Sequence, residues 1–324
     1  MGERGLVVVT GAAGFIGGHC CRALLAEGWR VRGLDNFDDF YSPAQKHQTV
    51  SDLLGMHGFS FETGDIRDRA WLEPVLEGAD AVVHLAARAG VQPSIEQPEL
   101  YASVNIQGTA TLLEACRKAG VRRFVFASSS SVYGDDTPVP FREDAPAVNP
   151  ISPYGATKRA GELLCSAHSH LHGCRIAALR LFTVYGPRQR PDLAIHRFTR
   201  ALSEGRPIEQ FGDGSSERDY THVNDIVAGI GGALRWTSEG DGGFEIFNLG
   251  ESRTVRLDQL IALIAAALGA KPVIRVAPPR AGDVRRTWAD LEKSQRVLGY
   301  RPGIALETGI TEFVSWFRES RSAG

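Results

Sequence analysis

Tyr154 and Lys158 are separated by three residues in Tyr154-Gly-Ala-Thr-Lys158. On a helix that spacing places a phenol and an amine one above the other on the same face. A tyrosine phenol titrates near pH ~10 and is a poor base at neutrality. A cation one turn away favours the phenolate. The chain has five lysines and seven tyrosines, so the motif arises by chance only roughly 0.1 times. Upstream, Ser128, Ser129, Ser130 and Ser131 follow the apolar run Phe124 to Ala127. Hydroxyls at the carboxyl edge of a parallel strand sit where ligands bind, although a serine-rich loop also serves simple turns.

A third cluster lies near the start of the sequence. Gly11-Ala-Ala-Gly14-Phe15-Ile16-Gly17 follows the β-branched run Leu6-Val7-Val8-Val9 and opens a helical pattern. Glycines there permit a tight turn and the close approach of a pyrophosphate to free helix N–H groups. The spacing is GxxGxxG. Asp35 ends the next apolar run, 18 residues after Gly17, where a carboxylate accepts hydrogen bonds from an adenosine ribose and repels a 2′-phosphate. NAD is therefore expected over its phosphorylated form, and Arg30 and Arg32 weaken that only slightly. Asp65 follows the third apolar run, where such folds meet the adenine; an acid in a surface loop is an equal reading.

These residues need a scaffold of alternating strands and helices. Val31 to Leu34, Phe59 to Thr63, Ala81 to Leu85 and Phe124 to Ala127 read as further strands. Helical periodicity covers residues 15 to 27 and 104 to 119, the latter ended by Gly120. The expected class is α/β, a doubly wound parallel (Rossmann) sheet with a smaller mixed C-terminal substrate-binding domain. The NAD-binding part is expected over 1–180, rejoined by a strand near 243–250, and the substrate-binding part over 181–324. Leu257 to Leu268 reads as an amphipathic helix.

Composition excludes several classes. With 36 basic and 38 acidic side chains the chain lacks the basic stripe of a nucleic-acid binder. Its longest apolar run, 11 residues from Leu260 to Ala270, falls short of the ~20 that span a membrane. Five scattered cysteines form neither a disulfide framework nor a CxxC zinc pair. Glu3 and five glycines between Gly5 and Gly18 do not suit a signal peptide, and a cytoplasmic location is expected. His168 and His172 share a helix face with no acid or cysteine to complete a metal set. His84 reads as a hydrogen-bonded core histidine. No metal is expected.

Nine ordered stretches, among them TGAAGFIG, GLDNFDDFY, HLAARAGVQPSIEQP, ASSSSVYG, SPYGATK, FTVYGPRQRPD and FGDGSSERDYTHVND, resemble the extended short-chain dehydrogenase/reductase family over nearly the whole chain. Within it the chain is similar to NAD-dependent nucleotide-sugar epimerases, above all UDP-glucuronate 4-epimerases. The resemblance implies a catalytic Ser129, Tyr154 as base and Lys158 on the nicotinamide ribose. It assigns Gly11, Gly14, Phe15, Ile16, Gly17, Asp35, Asn36, Asp65, Ile66, Leu85, Ala86 and Ala87, with Tyr154 and Lys158, to NAD. The implied reaction removes the sugar 4-hydroxyl proton, passes the C4 hydride to NAD⁺, and returns it to the opposite face of a rotated 4-keto sugar. A homodimer through helices near 102–119 and 154–170 is implied as well.

The resemblance also assigns Ser128, Ser129, Ser130, Thr183, Arg190, Arg218, Arg280 and Asp283 to a UDP-sugar substrate. Related dehydratases carry an acidic pair after the catalytic hydroxyl, and decarboxylases keep a glutamate two positions before the Tyr of VYG. Here Ser130 and Ser131 stand there, and a hydroxyl does not remove a carbon-bound proton as a carboxylate does. Thr183 and Arg190 favour a uronate, since a guanidinium pairs bidentately with a carboxylate. A neutral UDP-hexose or UDP-N-acetylhexosamine, a UDP-glucuronate decarboxylation, and a non-catalytic NAD-binding scaffold or redox sensor are the alternatives.

Overall fold

A strand that is apolar at every position needs cover on both faces, and β1 (Leu6–Thr10) is buried throughout. The computed structural model describes residues 4–322. After β1 come β2 (Arg30–Asp35), β3 (Phe59–Thr63), β4 (Ala81–His84), β5 (Arg123–Ser129) and β6 (Arg175–Leu181). They are followed by β7 (Thr183–Tyr185), β8 (Ile208–Phe211), β9 (Glu217–His222), β10 (Gly243–Leu249), β11 (Thr254–Arg256) and β12 (Ile274–Ala277). Seven of them form one parallel sheet in the order β10-β6-β5-β4-β1-β2-β3. The strand expected near 243–250 thus lies at the sheet edge, paired with β6. β11-β9-β7 and β12-β8 are smaller sheets.

The helices are α1 (Phe15–Ala26), α2 (Pro43–Leu54), α3 (Arg69–Val75), α4 (Val91–Glu96), α5 (Pro98–Ala102) and α6 (Gly108–Lys118). Later come α7 (Pro153–His172), α8 (Ala194–Ser203), α9 (Val223–Trp236), α10 (Leu257–Leu268), α11 (Glu292–Leu298) and α12 (Leu306–Ser322). Alternation along β1 sends Val7 and Val9 into the core beneath α1 and α9, and Val8 into the core beneath α3, α6 and α7. A third core joins α8, α10 and α12. Strand order reverses beside β1, so the carboxyl ends of the strands open a crevice there.

The helix expected over 104–119 is interrupted. Ser103–Gln107 is π-helical and runs into α6, and Gly120 follows at φ +75°. The wide turn directs Asn105 inward: its amide bridges the Arg88 backbone (2.8 and 2.9 Å) and donates to Thr157 on α7 (3.0 Å). π-turns of this kind recur at functional sites.

Inside the sheet lies a buried ion pair. Arg180 of β6 donates Nε and Nη2 to the two Glu162 oxygens of α7 at 2.9 and 3.0 Å. Ser128 donates to Glu162 at 2.6 Å and Arg159 at 2.8 Å. Burial pushes the Glu162 carboxyl up, but the Arg180, Ser128 and Arg159 bonds outweigh it and hold it below its ordinary value. Its stabilisation is therefore present above the usual carboxylate range and is lost as pH falls through the lowered value. Glu162→Gln, which strands the Arg180 charge, is expected to lower the unfolding free energy by about 3 kcal/mol at neutral pH. Guanidinium titrations at falling pH should show the gap from wild type closing; a gap constant with pH is the opposing result.

Candidate active site

The first turn of α1 has free N–H groups because Gly14 at its N-cap provides no side-chain cap and the turn carries no acid. Gly11 takes φ +71°, and a Cβ on Gly17 would fall 2.0 Å from the Gly11 carbonyl. Only glycine lets the helix start so close to the turn. Asp35 accepts from the Ala13 N–H (3.1 Å) and the Phe37 N–H (2.9 Å). Burial raises its carboxyl, opposed by Lys46 and these backbone donors. Asp65 is paired with Arg67 at 2.6 Å, the main cause of its lowered pKa, and accepts from Asn36 at 3.3 Å.

At the end of β5 the serines alternate. Ser128 turns to Glu162 and the core, whereas Ser129 accepts from the Ser131 N–H and donates to the Ser131 hydroxyl, both at 3.2 Å. Of the two, Ser128 thus presents its hydroxyl to the protein. α7 begins beside this turn: Ser152 caps it by accepting from Gly155 N–H, and a Cβ on Gly155 would lie 2.5 Å from the Ser131 carbonyl. Gly155 therefore permits the approach that carries Tyr154 toward Ser129.

Tyr154 is half-buried on this cavity. Burial raises its phenol, against lowering contributions from the Ser129 hydroxyl and the Arg190 guanidinium. Lys158 is buried, donates Nζ to the Ala127 carbonyl at 2.8 Å and lies 5.3 Å from the Phe126 ring centroid. Burial pulls its ammonium down to about 8. Beside the phenol, the Arg190 guanidinium is a cation that opposes the rise caused by burial.

One cavity of about 630 Å³ is lined by every cofactor and substrate residue expected from the sequence. Its volume suits small-molecule ligands. Arg190 holds Asp192 through Nε (3.0 Å) and Nη2 (2.8 Å). Arg280 stacks 3.5 Å from the Phe211 centroid, and Arg218 donates to the backbone of Glu217 at 2.9 Å. Arg188 instead pairs with Asp52 at 2.6 Å. His84 is held by Thr10 (2.7 Å) and Thr109 (3.1 Å), with its pKa lowered to about 3 by burial and Lys158. His168 and His172 lie 4.6 Å apart, and the described residues contain no cluster able to hold a metal. The sequence reading missed Phe40, Tyr41, Arg88 and Asp192 on the wall. The first two stand in GLDNFDDFY, where only Asp35 and Asn36 were given a role.

A family model, the NAD dependent epimerase/dehydratase family, matches residues 7–250. The chain belongs to that family. A UDP-glucuronate 4-epimerase of Thermodesulfobacterium geofontis is 40% identical over 319 residues, covering 98% of this chain and 97% of that protein. UDP-glucuronate 4-epimerase 3 of Arabidopsis thaliana is 42% identical over 327 residues, covering 96% and 76%. A crystal structure of UDP-glucuronic acid 4-epimerase from Bacillus cereus, in complex with UDP-glucuronic acid and NAD, superposes with a TM-score of 0.91 at 35% identity. That match covers 97% of this chain and 99% of the other.

The uncapped α1 turn, Gly17 and the Asp35 carboxylate fit the NAD on which the family depends. Gly17→Ala, whose methyl collides with the Gly11 carbonyl, is expected to leave the purified protein without bound NAD. Acid release and absorbance of the nucleotide measure this, and wild-type NAD content in a folded variant is the contrary result.

Proposed function

We propose that this protein epimerises UDP-glucuronate at C4 to UDP-galacturonate. The observation that carries the reading is the Arg190 guanidinium lining the same cavity as Ser129 and Tyr154, with hydroxyls at 130 and 131. Bound NAD supplies the oxidation at C4 and its reversal. Tyr154 takes the proton of the 4-hydroxyl and gives it back, while Ser129 orients that hydroxyl. Arg190 and the Ser129 hydroxyl oppose the rise that burial imposes on the phenol. Lys158 holds the nicotinamide ribose. Arg218 and Arg280 take the diphosphate, a pairing their forked donors suit, and Asp283 the uridine ribose. Thr183 and Arg190 grip the sugar carboxylate, which matters because a 4-keto uronate is a β-keto acid that loses CO₂ unless held unfavourably for that step.

The Asp192 carboxylate bonded to Arg190 favours a second reading, epimerisation of a neutral UDP-hexose, since it offsets the charge a uronate would meet. Proton NMR of the NAD-loaded protein with UDP-glucuronate decides between them. UDP-galacturonate is expected, and Tyr154→Phe should slow its formation by about 1,000-fold. A UDP-pentose would make the protein a decarboxylase, and turnover of UDP-glucose alone would favour the neutral-sugar reading.

In this reading residues 1–180, with the returning strand β10, carry the cofactor, and 181–324 carry the nucleotide sugar. A cytoplasmic location is supported by five buried, unpaired thiols, and no described helix is long and apolar enough to cross a membrane. A homodimer through α6 and α7 is supported by Leu163 and Leu171, two turns apart on α7 and 56% and 70% exposed. Exposed leucines on one helix stripe offer an apolar surface to a second copy. Leu171→Glu is expected to convert a dimer to a monomer in light scattering; a monomeric wild type would remove this part of the proposal.

A further inference from the structure

Asp35, Asn36 and Asp38 each accept a hydrogen bond from the N–H two residues on, at 2.9, 3.0 and 2.9 Å. Three consecutive turns closed by side chains make a stiff loop. It leaves the cofactor end of the cavity at Asp35 and delivers the Phe40 ring to its wall. Lys46 fixes the loop again by donating to the Asp38 carbonyl.

Two guanidiniums lie against that ring. Arg190 stands 5.2 Å from its centroid and Arg88 5.5 Å, both within cation–π range. Arg88 is braced by Asp38 at 3.0 Å. Arg190 is held as well by Asp192, which takes Nε and Nη2. Its Nη1 makes no hydrogen bond to any described residue. An aromatic face differs from Asp192 as a support, because it attracts a guanidinium without using an N–H and without neutralising the charge. The donors and the charge then remain for a ligand.

We propose that Phe40 is a positioning residue for sugar selection: its ring holds Arg190 so that the open edge of the guanidinium meets the carboxylate of a uronate. The proposal rests on the uronate reading above and deepens it. It gives the loop that begins at the cofactor ribose carboxylate a direct hand in reading the substrate. An aliphatic side chain at position 40 would fill the space but not attract the cation. An aromatic one would do both.

The test is calorimetric titration of NAD-loaded protein in a Tyr154→Phe background, where no turnover confuses binding. UDP-glucuronate, UDP-glucose and UDP are the ligands, compared for Phe40, Phe40→Leu and Phe40→Tyr, with NAD content measured for each. Phe40→Leu is expected to raise the Kd of UDP-glucuronate about tenfold, leave those of UDP-glucose and UDP unchanged, and be rescued by Phe40→Tyr. Equal binding of UDP-glucuronate by Phe40→Leu would overturn the proposal and leave the uronate reading intact. Parallel weakening of all three ligands, or loss of NAD, would make Phe40 a general support and overturn it too. A parent protein that binds UDP-glucose as tightly as UDP-glucuronate would overturn both the uronate reading and the proposal.

Discussion

Glu162 and Arg180 are both out of water, at 0% and 1% side-chain exposure, and each is tolerable there only because of the other. An unpaired buried charge costs several kcal/mol, so the pair permits few alternatives. Glu162 lies one turn beyond Lys158 and two beyond Tyr154, on the same face of α7. Rolling the helix by one residue would turn that face by roughly 100°, taking the carboxylate from Arg180 and the phenol from Ser129 together. Ser128 adds a tether from β5 at 2.6 Å. The Arg180 guanidinium also lies 4.5 Å from the Tyr133 centroid, and Tyr133 donates to Asn248 of β10 at 2.7 Å. The phase of α7 is therefore fixed by electrostatics beneath it.

The cavity above that pair has an uneven distribution of charge. Lys158 donates to a carbonyl, and burial weakens its hold on its proton. Tyr154 feels Arg190 from a loop of the other half. On the proposed reading, one guanidinium thus serves both proton transfer and carboxylate recognition. An incoming carboxylate would partly cancel the field that favours the phenolate, and the dipole-rich turn at Ser129 and the positive nicotinamide would have to carry more of it. Asp192, by sharing Arg190 beforehand, makes that change smaller.

Much of this was legible in the sequence, for reasons that also explain what was not. β1 to β5 are short, β-branched or aromatic and followed by turn signals, so their edges were close to those observed. α10 carries an unbroken apolar stripe, and its limits, Leu257 to Leu268, were read correctly. β6 escaped notice: Ala177 and Ala178 are weak strand formers, and Arg180 looks like a surface residue. No local pattern announces a buried arginine whose partner lies 18 residues upstream. The π-turn at Ser103–Gln107 was equally hidden, because it changes the hydrogen-bond step and leaves composition alone. Ser128 was grouped with its neighbours by type, whereas strand alternation turns it the other way. Phe40 was given no role, since its two guanidinium neighbours are distant in sequence.

The two ends of the cavity are supported by separate means. The Ser129–Tyr154–Lys158 set depends on β5, α7 and the buried pair. The segment bearing Arg190 depends on the cofactor half from the opposite side: His19 contacts the Pro187 carbonyl at 3.0 Å, Gln45 donates to the Arg188 carbonyl at 3.2 Å, and Arg188 reaches Asp52. Arg188 takes φ +65°, a conformation that needs such restraint in a residue with a Cβ. Residues without shared partners act nearly independently. On the proposed reading, sugar preference can change through Asp192 and Phe40 while the Ser129–Tyr154–Lys158 geometry persists. A change at Arg190, by contrast, also alters the charge beside Tyr154. On that reading, selectivity among sugar nucleotides rests on Phe40 and the loop between Gly186 and Asp192, and not on α7.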